Sequence, residues 1–182
     1  KIPLDVAYQI TNTESALMTV ALYTYSDTDG TTAIGSVSTK TFTAIVPDTI
    51  VPKITSLTVE LDNGKNSVVA GWNVAVAGFT KVRVIATAEG AYGSTIKSFT
   101  ISGGYNQTVN GSILDFVGSI INSSGSKSFD TICKDSRGRS SKQYLSSVVR
   151  FYSYATPLVS NFVVSRNAGD ITKVTASANW SF

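Results

Sequence analysis

The sequence predicts an all-β chain, on composition, strand-like alternation and turn residues at short intervals. Of 182 residues, 42% are hydrophobic and 15% charged, a composition that folds rather than staying disordered. Ser and Thr are abundant, and aromatics reach 10%. Thr, Val, Ile and Tyr suit the half-buried surface of a pleated strand, while Ser and Gly supply turns. The length allows one large domain or two small ones, each able to bury a core.

Taken along the chain, strand-like runs fall at 17–25, 33–46, 53–61, 67–76, 81–88, 95–102, 127–134 and 141–152, with a short one near 108–116. Alternation is clearest where Ile54, Ser56 and Thr58 oppose Thr55, Leu57 and Val59, and where Val82 and Val84 oppose Lys81 and Arg83. The pattern expects Trp72, Val84, Ile101, Phe129 and Val148 to be mostly buried.

The chain also resembles itself. Leu4-Asp5-Val6-Ala7-Tyr8-Gln9-Ile10-Thr11-Asn12 is echoed by Leu114-Asp115-Phe116-Val117-Gly118-Ser119-Ile120-Ile121-Asn122, each followed by a strand-like run, a turn, a long strand and a proline-marked junction. Both segments read as a short helical turn or an irregular crossover. Pro52-Lys53-Ile54-Thr55-Ser56-Leu57 then parallels Pro157-Leu158-Val159-Ser160-Asn161-Phe162, with Pro52 and Pro157 standing 105 residues apart. Such a period matches one immunoglobulin-like sandwich of about 100 residues. The expected architecture is therefore tandem immunoglobulin-like antiparallel β-sandwich modules, one complete and two partial. Residues 1–46 are the C-terminal part of one module, 47–156 a complete module and 157–182 the N-terminal strands of a further one. On this phase the chain reads as a fragment of a longer protein.

Several function classes are disfavoured. The net charge is only +3 and the basic residues are scattered, which argues against nucleic acid as a partner. No apolar run approaches the roughly 20 residues of a membrane helix. Histidine is absent, removing the commonest general base and metal ligand. No enzyme activity, metal or cofactor is expected. Asp27-Thr28-Asp29-Gly30 resembles the start of a calcium loop, but Ser38 stands where a bidentate Glu is needed, so a hairpin tip is the better reading. The lone Cys133 reads as a small core residue. It excludes the Cys…Trp…Cys framework of secreted eukaryotic immunoglobulin domains and points to a bacterial or viral origin.

Four residues are candidate ligand contacts. Arg137 and Arg139, in Asp135-Ser136-Arg137-Gly138-Arg139, read either as solvated arginines on an exposed structural hairpin or as a grip on an anionic surface polymer. Tyr92 and Tyr105 lie in glycine-flanked loops. They read either as rings that stack on sugars or as packing across a module junction or a sandwich end. The Asn-x-Ser/Thr matches at Asn106, Asn110, Asn122 and Asn179 are incidental in a Ser-rich chain.

Ala91-Tyr92-Gly93-Ser94-Thr95-Ile96-Lys97-Ser98-Phe99-Thr100-Ile101, Asp135 to Arg139, Tyr154-Ala155-Thr156-Pro157, Val51-Pro52-Lys53-Ile54 and the Pro3-Leu4 to Gln9-Ile10 segment occur in an order similar to that in a known family. The chain resembles the Ig-like minor structural proteins in the tails of phages infecting Gram-positive bacteria. The resemblance implies a non-catalytic virion protein of the tail tip or fibre, serving assembly or host-surface attachment. Its expected partners are other tail proteins or copies of itself, and host cell-wall polysaccharide. A bacterial surface adhesin, a carbohydrate-binding module and an accessory domain of a tail-associated lysin are the alternatives, since the fold hosts all of them.

Overall fold

The computed structural model describes residues 3–65 and 67–181; Lys1, Ile2, Asn66 and Phe182, which include the outer limits of the first and last expected units, lie outside the described residues. The described chain is nearly all β. It opens with a 3-10 turn at Leu4–Gln9, followed by the antiparallel hairpin β1 (Ser15–Leu22) and β2 (Ser38–Ile45). The central region holds β3 (Lys53–Asp62), β4 (Ala75–Val76), β5 (Lys81–Glu89), β6 (Ile96–Gly103), β7 (Gln107–Asn110), β8 (Ile113–Val117), β9 (Gly125–Asp135) and β10 (Leu145–Tyr152). A last hairpin pairs β11 (Leu158–Asn167) with β12 (Asp170–Ser181).

The central strands form two sheets, a three-stranded β3-β5-β8 and a five-stranded β4-β10-β9-β6-β7. Only β4 runs parallel to its neighbour, pairing with the end of β10 at Phe151 and Tyr152. The two inner faces share one core. Val82, Val84, Ala86 and Leu114 come from the smaller sheet, and Phe99, Ile101, Phe129, Cys133 and Phe151 from the larger. Period-two alternation places these residues inside, and bulges reset it where needed. In β6 a register shift between Ile96 and Ser98 lets Ile96, Phe99 and Ile101 all face inward.

Three of the expected core residues, Val84, Ile101 and Phe129, are fully buried, and two are not. Val148 is 65% exposed, because Phe151 fixes the parity of β10 and turns Val148, Arg150 and Tyr152 outward. Trp72 is 44% exposed. The strand expected at 67–76 shrinks to Ala75–Val76, and the rest of it is a succession of turns. A buried polar network explains that departure. Asn63 Nδ2 donates to the Trp72 and Val74 carbonyls (2.6 and 3.1 Å), and Asn63 Oδ1 accepts from Thr80 Oγ1 (2.5 Å). Thr80 Oγ1 in turn accepts from Val76 N (2.7 Å). Side chains here satisfy backbone groups that a strand ladder would otherwise satisfy.

Other boundaries also move. The run near 108–116 splits at Gly111 into β7 and β8, which belong to different sheets. The two long strands begin late, at Ser38 and Leu145. The echoed segments differ in form, since Leu4–Gln9 is a 3-10 turn whereas Leu114 and Phe116 sit in β8. The N-terminal hairpin and turn share a small cluster of Ala7, Ile10, Ala44 and Val46, and Tyr92 of the central region packs against it.

Candidate functional site

The hairpin between β9 and β10 closes tightly. Asp135 N donates to the Arg139 carbonyl (2.9 Å), and Gly138 takes the positive φ of 86° that the turn requires. Asp135 Oδ1 accepts from the backbone N–H groups of Arg137 and Arg139 at 3.0 and 2.9 Å. The turn reading therefore holds, but its exposure does not. Arg137 is 5% exposed and Arg139 7%. Both guanidinium groups reach the segment before β3, and Arg137 also holds the loop after β5.

Arg137 spends its donors on main-chain oxygens. Nε donates to Ile10 O (2.7 Å), Nη2 to Ala7 O (2.9 Å) and Tyr92 O (2.6 Å), and Nη1 to Ala91 O (2.6 Å). Arg139 repeats the pattern on the segment after β2. Its Nη1 donates to Pro47 O (2.5 Å) and Ile50 O (3.1 Å), and its Nη2 to Val46 O (2.6 Å). Arg139 also forms ion pairs with Glu14 (3.3 Å) and Asp48 (3.6 Å), both on exposed carboxylates. Between the arginines, Ser136 Oγ donates to Thr11 O (2.5 Å). The carbonyls reached lie at the end of the 3-10 turn, beyond the end of β2 and in the loop after β5, outside any strand ladder, and Ala7, Pro47 and Ala91 each also accept one backbone N–H.

The planar five-donor fork of Arg suits this task, and a Lys ammonium could not span the same acceptors. Burial is the largest influence on the Arg137 guanidinium and lowers its pKa; the Asp135 carboxylate opposes that, and the Arg139 charge adds to it. The reading of two solvated arginines is thus corrected: the site is a latch between the central sandwich and the segment before it.

Tyr92 belongs to the same latch. Its ring lies 5.2 Å from that of Tyr8, and its backbone holds a φ of 48°, a left-handed conformation unusual outside glycine. Gly93 follows with φ +78°, and a Cβ there would meet Thr11 Cγ2 at 3.2 Å and Tyr8 Cδ1 at 3.3 Å. Tyr105 stands apart, inside the sandwich end. Its hydroxyl accepts from Val82 N (3.2 Å) and donates to Ser119 O (2.8 Å), with its ring between Phe116 and Phe129. Of the four candidate residues, the structure brings Tyr92, Arg137 and Arg139 together and leaves Tyr105 elsewhere. Sequence reasoning missed Ala7, Ile10 and Val46 as acceptors, because a backbone carbonyl carries no side-chain signature.

With this geometry in view, one sequence family accounts for the chain almost end to end. The family described as siphovirus protein of unknown function (DUF859) matches residues 1–181. The chain belongs to this family. No curated protein and no solved structure matches it. For this siphovirus protein the latch is the most highly organised polar site on the described residues, and its chemistry is cohesive. Both cations are consumed by internal acceptors, which leaves neither guanidinium open to a ligand.

Proposed function

We propose that this siphovirus protein is a non-catalytic structural and adhesive component of the phage tail, at the tip or fibre, assisting assembly or attachment to the host cell surface. It is built from tandem immunoglobulin-like modules, one complete and two partial. The observation that carries the reading is the latch. A hairpin of one β unit inserts two arginines that tie main-chain carbonyls of the unit before it, at Ala7, Ile10 and Val46, to those of its own unit, at Pro47, Ile50, Ala91 and Tyr92, which suits an extended chain of modules held at fixed angles. Two further features support it. The three- and five-stranded sheets with Greek-key crossovers fit an immunoglobulin-like module. The strand β11 also repeats β3 with the same ten-residue length, 105 residues on.

Other tail proteins or further copies of the chain are its proposed partners, with host cell-wall polysaccharide as the surface it meets. The siphovirus family favours this over a bacterial surface adhesin. Immunogold labelling of intact virions with antibody to residues 3–152 tests the assignment. Gold along the distal tail is expected, and label restricted to the head, or absent from purified virions, overturns it. Turnover of cell-wall polymer by the purified chain, abolished by one point substitution, would refute the non-catalytic part.

A further inference from the structure

A groove runs along the open side of the sandwich, where β3 of one sheet faces β10 of the other. Its volume is about 650 Å³, with Val59, Glu60 and Leu61 contributed by β3 and Ser147 to Arg150 and Tyr152 by β10. The third contributor is the irregular link before β4, which brings Trp72 and Asn73. Two large aromatics border this groove in the open, Trp72 and Tyr152, the latter 49% exposed.

These rings are fixed in place. The backbone of the link hangs on buried Asn63 and Thr80, and the Trp72 ring meets the edge of Tyr154 at 5.7 Å and 86°. Arg150 lies over the Tyr152 ring, 5.4 Å from its centroid, and no ion pair engages it among the described residues. Glu60, by contrast, is already paired with Arg83 at 3.2 Å. The groove therefore combines aromatic faces, neutral hydrogen-bonding groups from Asn73 and Ser147, and one cation that rests on Tyr152 without an ion-pair partner among the described residues.

We propose that this groove binds a polysaccharide chain, with sugar rings stacked on Trp72 and Tyr152 and an anionic substituent, a phosphodiester or a carboxylate, against Arg150. Aromatic faces match the C–H faces of sugar rings, and side-chain amides and hydroxyls match sugar hydroxyls. A peptide strand is the less suitable occupant. It would add to a sheet edge, and although β3 and the Leu145–Arg150 stretch of β10 leave edges open, β4 already takes the edge of β10 beside the aromatic rings, at Phe151 and Tyr152. The proposal rests on the attachment part of the function proposed above and names the ligand class for it.

The test is an array of hexose and N-acetylhexosamine oligosaccharides, with and without phosphodiester links, probed with the chain and with Trp72→Ala, Tyr152→Ala and Arg150→Ala. Wild-type binding is expected, falling at least about tenfold in either aromatic variant at unchanged melting temperature. Arg150→Ala should lose the preference for phosphorylated members alone. Wild-type binding that survives both aromatic substitutions overturns the groove. So does a wild type that binds no member at millimolar concentration. Tail labelling of an array-negative protein sinks the groove and keeps the tail assignment. Array binding through Trp72 by a protein absent from the tail does the reverse.

Discussion

Arg137 donates four hydrogen bonds to four main-chain oxygens, and no other side chain could replace it there. Arg137→Ala takes this donor from the Ile10 and Tyr92 carbonyls at a buried site, while Ala7 O keeps Ile10 N and Ala91 O keeps Ser94, so a loss of about 2–4 kcal/mol is expected in denaturant titration. Arg137→Lys should recover little, because one ammonium cannot reach the spread of carbonyls. A change under about 0.5 kcal/mol for Arg137→Ala would place the guanidinium in solvent. Asp27 offers a pH test at the opposite end of the N-terminal hairpin. It accepts from Thr31 N (2.9 Å) and Thr32 N (2.7 Å), and hydrogen bonds led by Thr32 lower its carboxyl from 3.8 to about 2. A folded-state pKa below the unfolded value gives stability that is present above about pH 4 and lost as pH falls through about 2. The amide signals of Thr31 and Thr32 should shift across that window, and Asp27→Asn should remove the shift.

Strand periodicity was the most legible level of this sequence. It placed β5, β6 and β9 within a few residues, since each is rich in Val, Ile, Phe and Thr and alternates over most of its length. It failed at Val148, where the run Leu145-Ser146-Ser147-Val148-Val149-Arg150-Phe151 offers apolar residues at both parities and only packing decides between them. Phe129→Ala should accordingly cost about 3–5 kcal/mol, whereas Val148→Ser should stay within about 0.5 kcal/mol. Equal losses in thermal melts would mean that β10 pairs in the other register. The 67–76 segment was misread because Val68, Val69, Trp72 and Val74 look like a strand, while the side chains that override it, Asn63 and Thr80, lie outside the window. At the latch, the hairpin was legible from Asp135 and Gly138. Its burial was not, because the acceptors lie 127 and 130 positions away and are backbone carbonyls, which no side-chain pattern marks.

Across the whole molecule, the two end hairpins expose what the central sandwich hides. Ile54, Leu57 and Val59 face inward on β3, and their counterparts 105 residues later, Val159, Phe162 and Val164, are exposed on β11. Leu17, Val20, Leu22 and Ile45 are likewise exposed on the first hairpin. Apolar strands left so open seek partners. The isolated chain should therefore associate as concentration rises, seen as an increasing sedimentation coefficient, with Phe162→Asp weakening the effect. A strictly monomeric chain at high concentration would show that these faces are tolerated in water. The latch bears differently on how such a protein changes over time. Toward the preceding unit its hairpin bonds chiefly to main chain, at Ala7, Ile10, Thr11 and Val46, and every residue type carries the same carbonyl. A recombination event that exchanged the upstream unit for one of similar backbone course would keep those main-chain bonds, with only the Glu14 ion pair and the Tyr8–Tyr92 contact depending on the side chains it brought. The joint thus asks for a backbone course more than for a particular sequence, and new surface specificities could be spliced in ahead of it with few changes at the seam.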